Sequence, residues 1–206
     1  MVINTNTSAL KGANNLMASQ AQLSKSLARL SSGSKIVNPS DDAAGVAIAS
    51  RLDAQIKRID AAQGNVGNAV SFTQTQDGYM KKIAKALDRM SELSILSQDV
   101  TKGNPDRALY QNEFAQLSSY ITEAASKDFN GVSLFSSTGL NVTTDSEGST
   151  FSMGGVDLGT GVYSAALGGT VATSGGASAA LTNVRLAIVQ LSSDRATVGS
   201  YQSRLN

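Results

Sequence analysis

Residues 31–45, SSGSKIVNPSDDAAG, gather the side chains best spaced for chemistry. Asp41 and Asp42 are adjacent carboxylates that could hold a metal ion, and Gly33 with Lys35 could meet a phosphate. A metal would need further ligands, and the neighbourhood offers none. A helix start, by contrast, uses both carboxylates. Pro39 cannot extend a helix, Ser40 is a suitable N-cap, and negative charge at 41 and 42 falls where a helix N-terminus favours it. The stretch therefore reads as a joint between two helices.

The composition narrows the chemistry further. The 206 residues contain no His and no Cys. This excludes a Ser-His-Asp triad, a cysteine nucleophile, a zinc site of the usual type and any disulfide. A metallopeptidase would need an HExxH helix, which a chain without His cannot supply. No catalytic residue, cofactor or metal is expected, and the chain is not expected to be an enzyme. Aromatic residues make up 5% and there is no Trp, so bulky groups for a thick core are few.

Charge is unevenly placed. The net charge is +1, yet residues 1–40 hold Lys11, Lys25, Arg29 and Lys35 and no acid. That is too little basic charge for a nucleic-acid binder or a membrane-surface helix. No apolar run reaches the length of a membrane span or of a signal-peptide core, so export, if it occurs, would use no cleaved hydrophobic signal.

The elements that carry these residues follow from periodicity. In residues 9–31, Ala9, Leu16, Leu23 and Leu30 repeat every seven, with Ala13 and Leu27 between them, a narrow coiled-coil seam on a polar helix that needs a partner surface. From Asp41 to about Val100, Leu52, Ile56, Ile59, Val66, Val70, Met80, Leu87 and Met90 continue a helical pattern. This predicts a rod of roughly 90 Å at 1.5 Å per residue, with Gly64, Gly67 and Gly78 as points of bending. Lys102-Gly103-Asn104-Pro105 is a turn. The next helix, with Tyr110, Phe114, Leu117, Ile121 and Ala124 on one stripe, should fold back antiparallel to about Lys127. Asn130-Gly131 signals a tight turn.

Residues 136–176 change to alternating Leu140, Val142, Phe151 and Met153 among Gly and Ser, which predicts a β-hairpin followed by a flexible linker. A final helical pattern from Ala177 carries Leu181, Val184, Ile188, Leu191, Val198 and Leu205, with no stop signal before Asn206. The fold class is thus mainly α: a long antiparallel helical rod, coiled-coil-like, with a small β-hairpin region. Three regions are expected: 1–40, 41–135 with 177–206, and 136–176.

The stretch LARLSSGSKIVNPSDDAAGVAIASRLDAQI closely resembles the N-terminal signature of bacterial flagellins. MVINTNTSAL, LDRMSELSILSQ at 87–98, DFNGVSLF at 128–135 and NVRLAIVQLSSDRATVGSYQSRLN at 183–206 add to the resemblance. It implies a secreted structural subunit that polymerises into the flagellar filament, passing through the flagellar export apparatus to the filament cap. Residues 1–40 would be the filament-core assembly segment, 41–135 and 177–206 the rod, and 136–176 a short variable region in place of large outer domains. A hook-filament junction protein and a coiled-coil surface adhesin are the alternatives.

Flagellins end in a second core helix that their export chaperone grips. Nothing follows Asn206, which implies a cut chain or a short relative and removes the chaperone's hold. The resemblance also implies an interface on the rod, for neighbouring subunits or an animal innate immune receptor, at Leu87, Arg89, Glu92, Leu93 and Glu113. Ser91 stands where many members carry a basic residue.

Overall fold

The computed structural model describes residues 6–206. The MVINT opening of the expected assembly segment lies outside the described residues. Two compact units divide the rest, one up to Lys57 and one from Arg58 to Asn206.

In the first unit, α1 spans Thr7–Ser32. Asn6 caps it by accepting a hydrogen bond from the Ala9 N–H at 3.1 Å. Gly33 ends it in the left-handed conformation, φ 67°, the usual glycine exit from a helix. The second helix, α2, spans Ala43–Gln98, so the Asp-Asp joint lies between two helices as the sequence implies. The cap itself differs from expectation. Asp42, not Ser40, receives the Gly45 N–H on its carboxylate at 2.8 Å and the Val46 N–H on its carbonyl. Asp41 turns away, to Lys25 at 2.5 Å and Arg29 at 3.3 Å. Asp42 thus serves as the cap, and the two cations of α1 hold Asp41.

The second unit contains the rest of α2, then α3 (Asn104–Ala125), strands β1 (Asp128–Phe129), β2 (Val132–Ser133), β3 (Leu140–Thr143) and β4 (Thr150–Met153), α4 (Gly161–Leu167) and α5 (Ser174–Leu205). Contacts fix the directions of the helices. Arg107 meets Ser97 while Arg89 meets Glu113, so α3 runs antiparallel to α2. Gln98 meets Ala177 while Arg195 meets Asp77, so α5 is also antiparallel to α2. Between these helices Met80, Ile83, Leu87, Met90 and Leu93 of α2 are buried with Phe114 and Ile121 of α3 and with Val184 and Leu191 of α5. Alanines 177, 180 and 187 of α5 are buried as well and let helices approach closely where aromatic residues are scarce.

The turn at the end of α2 is held by a buried arginine. Arg107 donates to the carbonyls of Ser97 at 2.8 Å and Asp99 at 2.9 Å, and to the Asn104 side chain at 3.2 Å. It thereby satisfies acceptors at and just beyond the end of α2, where carbonyls lack a partner within the helix. The Asp106 side chain accepts the Gly103 N–H at the start of α3.

The two hairpins are antiparallel, β1 with β2 through a turn with Asn130 at φ 53° and Gly131 at φ 79°, and β3 with β4 in register Leu140↔Met153 through Thr143↔Thr150. Phe151 packs edge-on against Tyr201 of α5, whose hydroxyl accepts the Gly154 N–H at 3.0 Å. The expected linker after β4 is instead ordered by tertiary contacts. The Tyr163 hydroxyl on α4 donates to Asp194 at 2.6 Å, and Val171 is fully buried with its N–H on Gln111 at 2.6 Å. Seven residues are too few to show helical periodicity.

Gly78 does not interrupt α2, and a side-chain carbon there would meet nothing within 4 Å, whereas one at Gly155 would collide with the Ser136 carbonyl oxygen. Gly78→Ala is therefore expected to stabilise the chain by about 0.5–1 kcal/mol in urea unfolding, and Gly155→Ala to lower the midpoint. Arg107→Met, which keeps the stem but strands buried carbonyls, is expected to cost roughly 2–3 kcal/mol in the same measurement.

Candidate contact surfaces

Three of the five residues singled out on the rod come together at the surface. Arg89 on α2 forms a side-on pair with Glu113 on α3, Nε to Oε1 at 2.6 Å and Nη2 to Oε2 at 3.1 Å, and its Nη1 reaches Glu92 at 2.9 Å. The cluster is open to solvent, with side chains 44–63% exposed. Leu87 and Leu93 lie beneath it in the core, 1% and 0% exposed. A partner approaching this face therefore meets the charges and not the leucines.

Helical arithmetic on the buried stripe defines the rest of the face. Lys82, Lys85, Arg89, Glu92 and Leu96 recur at steps of three and four, opposite Leu109, Glu113 and Tyr120 of α3. Leu96, Leu109 and Tyr120 are exposed, and a shallow groove runs between Lys82, Lys85, Leu117 and Tyr120. Leu109 and Tyr120 were not expected here. The signal was available, because each is offset from the Phe114 and Ile121 stripe.

Electrostatics tie the cluster together. Hydrogen bonding to Arg89 holds the Glu113 carboxyl below the usual glutamate range, and Glu113 followed by Glu92 raises the guanidinium above its ordinary value. A lowered carboxylate contributes stability above its unfolded pKa and loses it as pH falls through the folded value. The Glu113 carboxyl should therefore titrate below the usual glutamate midpoint in an NMR pH series. Arg89→Gln should move that midpoint upward, and an unchanged midpoint would count against the pairing.

The second surface lies in the first unit. Every residue of α1 from Thr7 to Ser32 is exposed, including the seam residues Leu16, Leu23, Leu27 and Leu30. On the opening turns of α2, Ile48, Leu52 and Ile56 are more than half exposed. These residues follow the repeat of a packed helix and have nothing packed on them within their unit. Asp41, beside Lys25 and Arg29, has its carboxyl held below the ordinary range, first by the hydrogen bond to Lys25. With Asp42 occupied as a cap, the two carboxylates are engaged separately. No group of three or more potential metal ligands occurs among the described residues, and none of the described helices is long and apolar enough to cross a membrane.

A core built mainly from α2, α3 and α5, closed by residues of the hairpins and of the loops that follow them, defines a mainly helical protein. The profile of the bacterial flagellin N-terminal helical region matches residues 3–139. The chain belongs to the bacterial flagellin family. It is 39% identical over 125 residues to the flagellar filament 41 kDa core protein of Borreliella burgdorferi, covering 61% of this chain and 37% of that one. It is also 39% identical over 136 residues to the flagellin of Salmonella dublin, covering 66% and 27%. The matched region thus spans well under half of either relative.

Among solved structures, Bacillus cereus flagellin superposes with a TM-score of 0.62 at 27% identity, covering 69% of this chain and 85% of that one. A putative flagellar hook-associated protein from Vibrio parahaemolyticus shares the fold at 13% identity and a TM-score of 0.50, over 82% and 94% of the two chains.

Proposed function

We propose that the chain is a structural subunit that polymerises into the extracellular flagellar filament. The observation that carries this reading is the uncovered seam on α1. A family of filament proteins supplies the context, and the seam supplies the force. Burying Leu16, Leu23, Leu27 and Leu30 between subunits stabilises the polymer by roughly 1.5–3 kcal/mol per side chain. Contacts between unlike faces generate an open helix rather than a closed ring.

In this reading residues 1–40 are the assembly segment, 41–135 with 177–206 the helical body, and 136–176 a short variable region. The Arg89, Glu92 and Glu113 face is a side contact between subunits, and on a free subunit it is the surface that an animal innate immune receptor would meet. Delivery through the flagellar export apparatus to the filament cap accompanies a subunit of this kind. The role is structural, not catalytic.

Deleting residues 1–40, or making the paired change Leu23→Ser and Leu27→Ser, is expected to abolish filaments in electron micrographs while leaving the circular dichroism melt of the helical body within a few degrees. Normal filaments from the deletion would refute the reading.

A further inference from the structure

Four asparagines gather at one groove of the second unit, and none of their side chains is spent on the protein itself. Asn65 and Asn68 stand about one turn apart on α2, Asn130 sits in the β1–β2 turn, and Asn141 lies on β3. All four are exposed. Among the described residues, the asparagine side chains hydrogen-bonded within the protein are those of Asn6, Asn104 and Asn183. The four carboxamides around the groove are thus free, and each carries two N–H donors and an acceptor oxygen.

The groove has a volume of about 450 Å³, within the span of small-molecule sites, about 300–1,000 Å³. Thr143 and Phe129 line it with the asparagines, and no charged side chain does. Its walls are fixed to one another through α2. Phe72 of α2, itself buried, meets Phe129 edge-on with ring centroids 6.0 Å apart, which holds the first hairpin. Ala69 of α2 is buried with Phe151 and Met153, which holds the second hairpin. Arg58 of α2 donates to the Ser146 carbonyl in the turn of that hairpin. A site whose walls are set before a ligand arrives loses little freedom on binding.

We propose that this groove binds a short neutral saccharide. A sugar ring bears adjacent hydroxyls, each both donor and acceptor, and one carboxamide can serve two of them, through its N–H and its oxygen. The C–H face of the ring packs on an aromatic side chain, here Phe129. A phosphorylated, sulfated or carboxylated ligand would give up hydration with no cation in the lining to replace it. A planar base would ask for parallel rings to lie between, and the two phenylalanines stand at 90°. The proposal concerns the single subunit and does not depend on the polymer proposed above.

The test is a titration of the 206-residue chain followed by proton–nitrogen correlation NMR of the asparagine side-chain amides. Lactose, maltose and diacetylchitobiose are the neutral probes, and sialyllactose is the charged comparison. At least one neutral disaccharide should shift the signals of Asn65, Asn68, Asn130 and Asn141 saturably, while Asn112, exposed on α3, stays unmoved. The paired change Asn65→Ala and Asn68→Ala, at exposed helix positions that alanine suits, should weaken that binding at least about tenfold. Asn112→Ala should leave it unchanged. The backbone signals of each variant report its fold in the same spectra. No saturable shift with any of the three neutral sugars, equal binding of sialyllactose, or undiminished binding by the paired variant overturns the proposal. Shifts from an uncharged Ser-Gly peptide and from none of the sugars would assign the groove to peptides instead and overturn it as well.

Discussion

An apolar stripe on a helix has to be covered, and the structure is organised by where α2 finds cover and where it does not. In the second unit, Met80, Ile83, Leu87, Met90 and Leu93 are sealed by α3 and α5, each side chain stabilising the fold by roughly 1.5–3 kcal/mol. In the first unit, Ile48, Leu52 and Ile56 continue the pattern and face solvent, as do the leucines of α1. The covered stretch yields a stable body. The uncovered one yields a surface whose residue types suit burial and whose partner must come from elsewhere.

Several charged and polar groups join elements that are distant in sequence. Asp41 ties the joint to α1, Arg195 ties α5 to Asp77 of α2, and Arg89 ties α2 to α3. Arg58 donates to the Ser146 carbonyl at 2.9 Å and so anchors the β3–β4 turn to α2 across 88 residues. Exposed pairs of this kind add little stability each. Their value lies in register, because a helix held by a featureless alanine-rich stripe could slide by a turn, whereas fixed ion pairs select one alignment.

The long elements were legible because repeats accumulate evidence with length. The α2 and α5 patterns persist over many turns, and Gly64, Gly67 and Gly78 weaken α2 without ending it. The elements that sequence alone obscured are those set by contacts at long range. The α4 segment GVYSAAL is helical because Tyr163 and Ala166 are buried against other elements, with Tyr163 bonded to Asp194 of α5, which no local pattern announces. Asp42 caps α2 in place of Ser40 because the helix begins at Ala43, three residues later than Ser40, and several residue types in PSDDA suit a cap equally well. On the candidate contact face, Arg89, Glu92 and Glu113 were singled out by resemblance. Periodicity had already put Leu87 on the buried stripe, and the same arithmetic puts Leu93 there.

The absence of His and Cys, read first as a bar to catalysis, also constrains how such a chain can be held together. Without disulfides, and with few aromatic side chains, a 26-residue helix such as α1 can be stabilised only by its own hydrogen bonds and by neighbours. Its backbone loses conformational freedom worth about 1–2 kcal/mol per ordered residue, and four seam leucines on one side offset only part of that. A helix with this composition is marginal on its own and needs a partner surface along the seam.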